Sequence, residues 1–254
     1  MTDKQSKRQK AMLEIITAEQ RIEVARLAEM LKISRVTLRK DIDILEEKGI
    51  LRHEKGQVFP GSSDDMNNRL TYHYDTKRKI ARAACALVQD GEAVMIESGS
   101  CCAILAEELA VNKRELRIIT NSAFIAAYIR KLPQAKILLL GGDYQNEAQV
   151  MVGPVTRQCI QGFTVDKLFI GTDGFSEQTG FTGNDHMRAE TVRDMVKQAA
   201  QVIILTESEK FSKQGLVPLL PFERVSRLIT DSAIPPEKER FLTGRKIRVL
   251  KVPL

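Results

Sequence analysis

Paired cysteines, clustered histidines and long apolar runs are all missing from this chain of 254 residues, and each absence removes a class of protein. Its four cysteines, Cys85, Cys101, Cys102 and Cys159, show neither the paired spacing of a zinc site nor a plausible disulfide framework for a chain this size. They read as reduced thiols. His53, His73 and His186 are scattered and do not make a metal constellation, and no cofactor is expected. No apolar run approaches the length of a membrane span, and the opening MTDKQSKRQK has no apolar signal core. A cytoplasmic location without a membrane partner is the expectation. Charge of one sign is also scarce. The chain carries a net +6, yet residues 1–60 hold thirteen Lys/Arg against ten Asp/Glu, so charge alone does not single out nucleic acid. The length and a hydrophobic share of 43% suffice for a soluble two-domain protein with a sizeable core.

What is present begins with Val24 to Gly56, VARLAEMLKISRVTLRKDIDILEEKGILRHEKG. Val24, Leu27, Ala28 and Leu31 follow the i, i+3, i+4, i+7 stripe of a short helix, and Lys32-Ile33-Ser34 interrupts it. Ser34 is a good N-cap for a second helix, in which Leu38, Ile42 and Leu45 share one face while Arg35, Thr37, Arg39 and Lys40 point elsewhere. A buried stripe with a basic opposite face suits a helix that leans on a small core and enters the major groove of DNA. An ordinary helical hairpin with a solvated face would share that stripe, but three features favour a DNA-binding head. Gln9 to Thr17 supplies an extra helix through Met12, Ile15 and Ile16. Gly49 stands where a helix-closing glycine belongs. Ile50-Leu51-Arg52 and Gln57-Val58-Phe59 read as two strands around His53-Glu54-Lys55-Gly56. Such a hairpin is a wing that places Arg52, His53 and Lys55 against the duplex backbone.

On these residues the segment SRVTLRKDIDILEEKGILRHEKG resembles the winged helix-turn-helix of the DeoR family of bacterial transcriptional regulators. Ser34, Thr37, Leu38, Arg39, Lys40, Asp41, Ile42, Leu45, Glu46 and Gly49 fall in register with the family pattern. Lys40 stands for its second arginine, which keeps the charge and loses a bidentate fork. Glu54-Lys55-Gly56 stands where the family commonly has His-Gly-Gly.

Pro60 to Asn68 has the polar, turn-forming composition of a linker, and the boundaries expected are a DNA-binding domain over 1–60, a linker over 61–75 and an α/β domain over 76–254. Thr76 to Gln89 reads as a helix with Ile80, Ala83, Ala84 and Leu87 facing in, closed by Gly91. Short apolar runs then alternate with helical ones: Ala93–Glu97, Ala103–Ala110, Arg117–Thr120, Ala123–Lys131, Lys136–Leu140, Lys167–Ile170, Met187–Ala200, Val202–Thr206 and Arg227–Thr230. This rhythm predicts a mainly parallel sheet covered by helices. Several strands end in polar or glycine-bearing loops, namely Glu97-Ser98-Gly99-Ser100-Cys101, Thr120-Asn121, Gly141-Gly142 and the stretch around Asp173. Strand ends of an open α/β sheet form a ligand crevice. Ser98, Gly99 and Ser100 before a helix offer hydroxyls and a helix N-terminus, a cradle for phosphate, although a serine-capped turn has the same sequence. Lys210, after an apolar strand, either adds a cation to the crevice or is simply an exposed lysine.

The later stretch GTDGFSEQTGFTGNDHMRAETVRDMVKQAAQVIILTESEKF is similar to the C-terminal sensor domain of DeoR-type regulators, a fold related to ribose-5-phosphate isomerase. In that likeness Glu97 and Glu207 replace aspartates, and Cys101 replaces a threonine whose hydroxyl is the better phosphate donor. The resemblance implies a repressor of carbohydrate-metabolism genes, not an enzyme. Its partners would be a double-stranded operator and a phosphorylated sugar, and it would assemble as a homodimer or homotetramer through the C-terminal domain. The alternative is a sugar-phosphate isomerase-like enzyme with an accessory N-terminal domain. Asp173, Asp185, Glu190 and Glu207 are available carboxylates, but no spacing assigns them catalytic roles.

Overall fold

The computed structural model describes residues 3–19, 21–47, 50–61, 65–132 and 134–254, and the chain divides into two units, Met1–Tyr72 and His73–Leu254. In the first unit the elements are α1 (Asp3–Glu19), β1 (Ile22–Glu23), α2 (Val24–Leu31), α3 (Arg35–Glu47), β2 (Leu51–Glu54), β3 (Gln57–Pro60) and α4 (Met66–Thr71). The last of these helices lies within residues 61–75, the stretch read as a linker. Met12 and Ile16 from α1, Leu27 and Ala28 from α2, Leu38, Ile42 and Leu45 from α3, and Leu51 and Val58 from the strands make one buried cluster. Helix α2 stops because Lys32 takes a left-handed conformation (φ 52°), letting the Ile33 N–H reach back to the Ala28 carbonyl. Ser34 then accepts the Thr37 N–H at 3.1 Å and starts α3. Gly49, read as the glycine closing that helix, lies outside the described residues.

Strands β2 and β3 pair antiparallel through a two-residue turn, Lys55-Gly56, with both φ values positive (50° and 77°), as a type I′ turn requires. The turn is tighter than the sequence suggested. His53 pairs with Val58 and Glu54 with Gln57, so both belong to the ladder rather than to the connection. Ile22 of β1 pairs with Val58 on the other side, making a three-stranded sheet.

The second unit runs α5 (Tyr74–Cys85), β4 (Ala93–Ile96), α6 (Ser100–Asn112), β5 (Leu116–Thr120), α7 (Ala123–Ile129), β6 (Ala135–Leu139), β7 (Asp143–Gln145), β8 (Val150–Val152), α8 (Gly153–Gln161) and β9 (Val165–Ile170). It continues with β10 (Gly174–Ser176), β11 (Gly180–Gly183), α9 (His186–Lys197), β12 (Ala199–Leu205), β13 (Val217–Leu220), β14 (Arg227–Asp231), α10 (Pro236–Gly244) and β15 (Arg248–Val252). Seven strands form one sheet in the order β15-β14-β12-β9-β4-β5-β6, and every adjacent pair is parallel. Buried runs such as Val94-Met95-Ile96 and Leu168-Phe169-Ile170 are what a sheet covered on both faces demands. The strand order reverses between β4 and β9: β4, β5 and β6 step one way, and β9, β12, β14 and β15 step the other. That reversal sets the ligand-binding position of an open parallel sheet.

Two helices differ from their sequence reading. Helix α5 ends at Cys85, where Leu87 and Val88 donate to the carbonyls of Ala84 and Cys85 and tighten the chain into a turn. Its buried stripe is Lys77, Ile80, Ala81, Ala84 and Cys85, one step round from the predicted face, because a lysine occupies a position that an apolar residue was expected to fill. Helix α9 ends at Lys197, and Ala199 begins β12 by pairing with Val165. There the ladder to β9 overrides alanine's helical preference. The small sheet β10-β11-β13 and the β7-β8 hairpin were not legible as strands.

Candidate functional site

Burying Leu38, Ile42 and Leu45 turns Arg35, Val36, Arg39, Lys40 and Asp43 outward on α3. Val36 is 68% exposed, an apolar side chain among cations on the outward face. Sequence reading passed over it, although an apolar residue out of register with the buried stripe was the available signal. Ser34 is exposed, and its hydroxyl is 2.9 Å from that of Thr37 as well as capping the helix. Asp41 was visible as part of a pattern, but its task emerges only here. Its carboxylate, 1% exposed, accepts Arg8 Nε at 2.5 Å, Arg8 Nη2 at 3.1 Å and Gln9 Nε2 at 3.1 Å, latching α3 to α1. Glu46 Oε1 accepts the His53 N–H at 2.8 Å and ties the wing to the same helix. In the wing, Arg52 and Lys55 are exposed and His53 is half-buried; Arg52 and Arg21 both lie over the Phe59 ring.

Because all seven strands are parallel, every strand-end loop singled out in the sequence emerges at one edge of the sheet. At the order reversal, Glu97-Ser98-Gly99-Ser100 after β4 meets Gly171 after β9. A Cβ on Gly99 would come within 3.2 Å of Gly171 Cα, tighter than an ordinary contact, so a side chain there would need the two loops to move apart by a few tenths of an ångström. Glu97 folds back into this contact. Its carboxylate accepts the Ser98 hydroxyl at 2.5 Å, the Gly99 N–H at 3.1 Å and the Gly171 N–H at 3.3 Å. Ser100 and Cys101 open α6 and are buried. Asp173 accepts the Asn184 N–H at 3.1 Å, which fixes the loop after β9 to the end of β11.

Thr120 and Asn121 end β5, on the far side of β4 from β9. The Thr120 hydroxyl accepts the Ser122 N–H at 3.0 Å, and Asn121 Nδ2 donates to the Met151 carbonyl at 3.0 Å. Asn121 Oδ1, fully buried, has no hydrogen-bond partner among the described residues. Gly141 and Gly142 follow β6 one strand further out. A Cβ on Gly142 would sit 1.8 Å from Thr156 Oγ1 and 2.6 Å from the Val152 carbonyl, so this glycine answers to packing under α8.

On the other side, past β9, the loop after β12 carries Glu207 and Lys210. Glu207, 5% exposed, lies 3.5 Å from the Nζ of Lys77, itself 2% exposed, and its other oxygen lies 3.2 Å from His73 Nδ1. Burial pushes the Glu207 carboxyl above its ordinary value, against the opposing pull of Lys77. Lys210, half-buried, is 3.3 Å from Glu209. Burial would raise the Glu209 carboxyl, but Lys210 and Lys213 outweigh it and hold it below its ordinary value. Lys77 was missed by sequence reading because a lysine on a helix is ordinarily solvated. Its only signal was its place on the Ile80-Ala84 stripe.

Residues 8–61 match the family model described as the DeoR-like helix-turn-helix domain, and residues 72–232 match that of the DeoR C terminal sensor domain. The chain is 29% identical over 231 residues to the HTH-type transcriptional repressor GlcR of Bacillus subtilis, covering 89% of this chain and 88% of GlcR. It is 25% identical over 249 residues to the glycerol-3-phosphate regulon repressor of Escherichia coli, covering 97% and 98%. Among solved structures, ribose 5-phosphate isomerase from Methanocaldococcus jannaschii aligns over 54% of each chain at 20% identity with a TM-score of 0.41. No helix among the described residues is long and apolar enough to cross a membrane.

Proposed function

The chain belongs to the DeoR family of transcriptional regulators, and from that premise we propose that it represses genes of carbohydrate metabolism in the cytoplasm under control of a phosphorylated sugar. Ser34, Arg35, Thr37, Arg39, Lys40, Arg52, His53 and Lys55 form its DNA-contacting surface, with Val36 added as an apolar partner for a thymine methyl group. The effector lies in the crevice at the strand ends and meets Glu97, Ser98, Gly99, Ser100, Cys101, Thr120, Asn121, Gly141, Gly142, Asp173 and Lys210. Residues 61–75 are the joint between head and sensor. Two or four chains assemble through the sensor domain, since paired heads reading repeated half-sites gain affinity by linkage. The protein senses its ligand and does not turn it over.

The observation that carries ligand control is the meeting of two strand-end loops at the order reversal, with Ser100 at the N-terminus of α6, where the helix dipole favours negative charge. Glu97 braces the floor of the crevice through the Ser98 hydroxyl and the Gly99 and Gly171 N–H groups, and Asn121 Oδ1 nearby is a buried acceptor with no partner among the described residues. The test is a thermal-shift screen of the full-length protein against sugar phosphates and the same sugars without phosphate. A sugar phosphate at about 100 times its dissociation constant adds roughly 2.7 kcal/mol of stability, and Ser100→Ala weakens that gain. Stabilisation by the unphosphorylated sugars alone, or turnover of a sugar phosphate, would overturn the reading.

A further inference from the structure

The buried pair Lys77 and Glu207, with the exposed His73 on the second Glu207 oxygen, lies apart from the residues assigned to the crevice, and its position in the chain gives it a use. His73 is the first residue of the second unit and takes a left-handed conformation (φ 51°) immediately before α5. Lys77 sits one turn into that helix, and its N–H donates to the His73 carbonyl at 3.1 Å. Glu207 comes from the loop after β12, at the edge where the crevice opens, and bridges the two side chains. Ser208, next to it, is held by its N–H on Asp231 Oδ2 at 2.7 Å, so the loop that carries Glu207 is anchored at the end of β14. One carboxylate therefore fastens the start of the second unit to the ligand-binding edge of its sheet.

We propose that Lys77 and Glu207 are the contact through which the effector reaches the joint between the units: an anionic group in the crevice competes with Glu207 for Lys77, and the hold of Glu207 on the first turn of α5 is loosened. This rests on the sugar-phosphate reading above. Strands β12 and β4 are separated only by β9, two strand spacings or about 10 Å, so the loop that carries Glu207 and the loop that leads to Ser100 leave the same edge of the sheet within the length of a sugar phosphate. The exchange is chemically reasonable because a buried ion pair is held against a large desolvation penalty, and a second anion tips that balance where a neutral hydroxyl does not. A ligand shifts an arrangement only through a contact that differs between its two states, and the Lys77–Glu207 pair is such a contact. The joint is reached through covalent neighbours, since Tyr72 and His73 are adjacent in the chain.

Hydrogen exchange of the full-length protein tests this, with glucose 6-phosphate, ribose 5-phosphate, fructose 1-phosphate and glycerol 3-phosphate as probes and the melting temperature read in parallel. Glu207→Gln speeds exchange over residues 70–80 by roughly tenfold, the loss expected for one charge-assisted contact, and leaves β4 and β9 unchanged. His73→Gln, which keeps the buried pair and removes only the exposed contact, gives a smaller acceleration of about two- to threefold. In the wild type, a probe that raises the melting temperature also speeds exchange over 70–80, and in Lys77→Met that response disappears. Unchanged exchange in both Glu207→Gln and His73→Gln overturns the tie. A probe that raises the wild-type melting temperature without altering 70–80 overturns the competition. Failure of every probe to raise it overturns the sugar-phosphate reading instead.

Discussion

Replacing Asp41 with alanine removes a side chain that never contacts solvent, and the structure gives the cost. The carboxylate accepts two bonds from Arg8 and one from Gln9. Arg8 is 23% exposed on its side chain, so its guanidinium can return to water when the partner is gone. Gln9 is only 5% exposed, and its amide is left buried with a donor unmet, at a cost of about 1–3 kcal/mol. Adding the lost charge-assisted bonds and subtracting the solvation regained by Arg8 gives about 3 kcal/mol, the low end of the range for breaking a buried pair. The whole loss falls on the contact between α1 and α3. Hydrogen exchange of the full-length protein reads it directly, because 3 kcal/mol is roughly a hundredfold in the opening equilibrium of that unit. Amides of α1 and α3 exchange that much faster while the parallel sheet is unaffected, and operator binding weakens because the helix bearing Arg39 is no longer held. The paired substitution Arg8→Met with Asp41→Leu recovers most of the stability. Exchange within threefold of wild type over α1 and α3, or an equal effect on the sheet, would refute the latch.

Gly142→Ala forces a Cβ into the Thr156 hydroxyl at a φ of 151°, and a drop of about 1–3 kcal/mol in the stability of the second unit, read by thermal unfolding, is expected. Burial would raise the Asp194 carboxyl, but Lys197 and Arg157 outweigh it and hold the group below its ordinary value. A depressed carboxylate stabilises the fold above its unfolded pKa and loses that contribution as pH falls through its folded value, so Asp194→Asn flattens the acid limb of a stability-against-pH curve. An unchanged acid limb would remove that pair from the balance. Arg39→Ala weakens specific operator binding by roughly 1–3 kcal/mol in a salt-controlled shift assay, and unchanged affinity would take this arginine off the DNA.

The two-unit plan was legible because its signals are local. The apolar stripe Val24-Leu27-Ala28-Leu31, the Ser34 cap and the stripe Leu38-Ile42-Leu45 each depend on residues within two turns of one another. They place helices α2 and α3 wherever the rest of the chain goes. The alternation of apolar runs and helical periods likewise dictates a parallel sheet, since parallel neighbours need crossovers of that length. It also dictates that strand-end loops share one edge, so the loops carrying Glu97, Asn121, Gly141 and Asp173 could be expected at that edge without coordinates.

What only the tertiary structure decided is partnership across long sequence separation, which carries no periodicity. That Asp41 answers to Arg8, Glu46 to the wing and Glu207 to Lys77 depends on packing between elements separated by 7 to more than 100 residues. Sequence likeness put Glu97 in a ligand loop. The tertiary contact of Gly99 with Gly171 decided that its carboxylate would fold back onto two backbone N–H groups. Lys77 shows the limit most clearly: a lysine on a helix reads as solvated until an acid 130 residues away is brought to 3.5 Å, and burial then makes the pair matter.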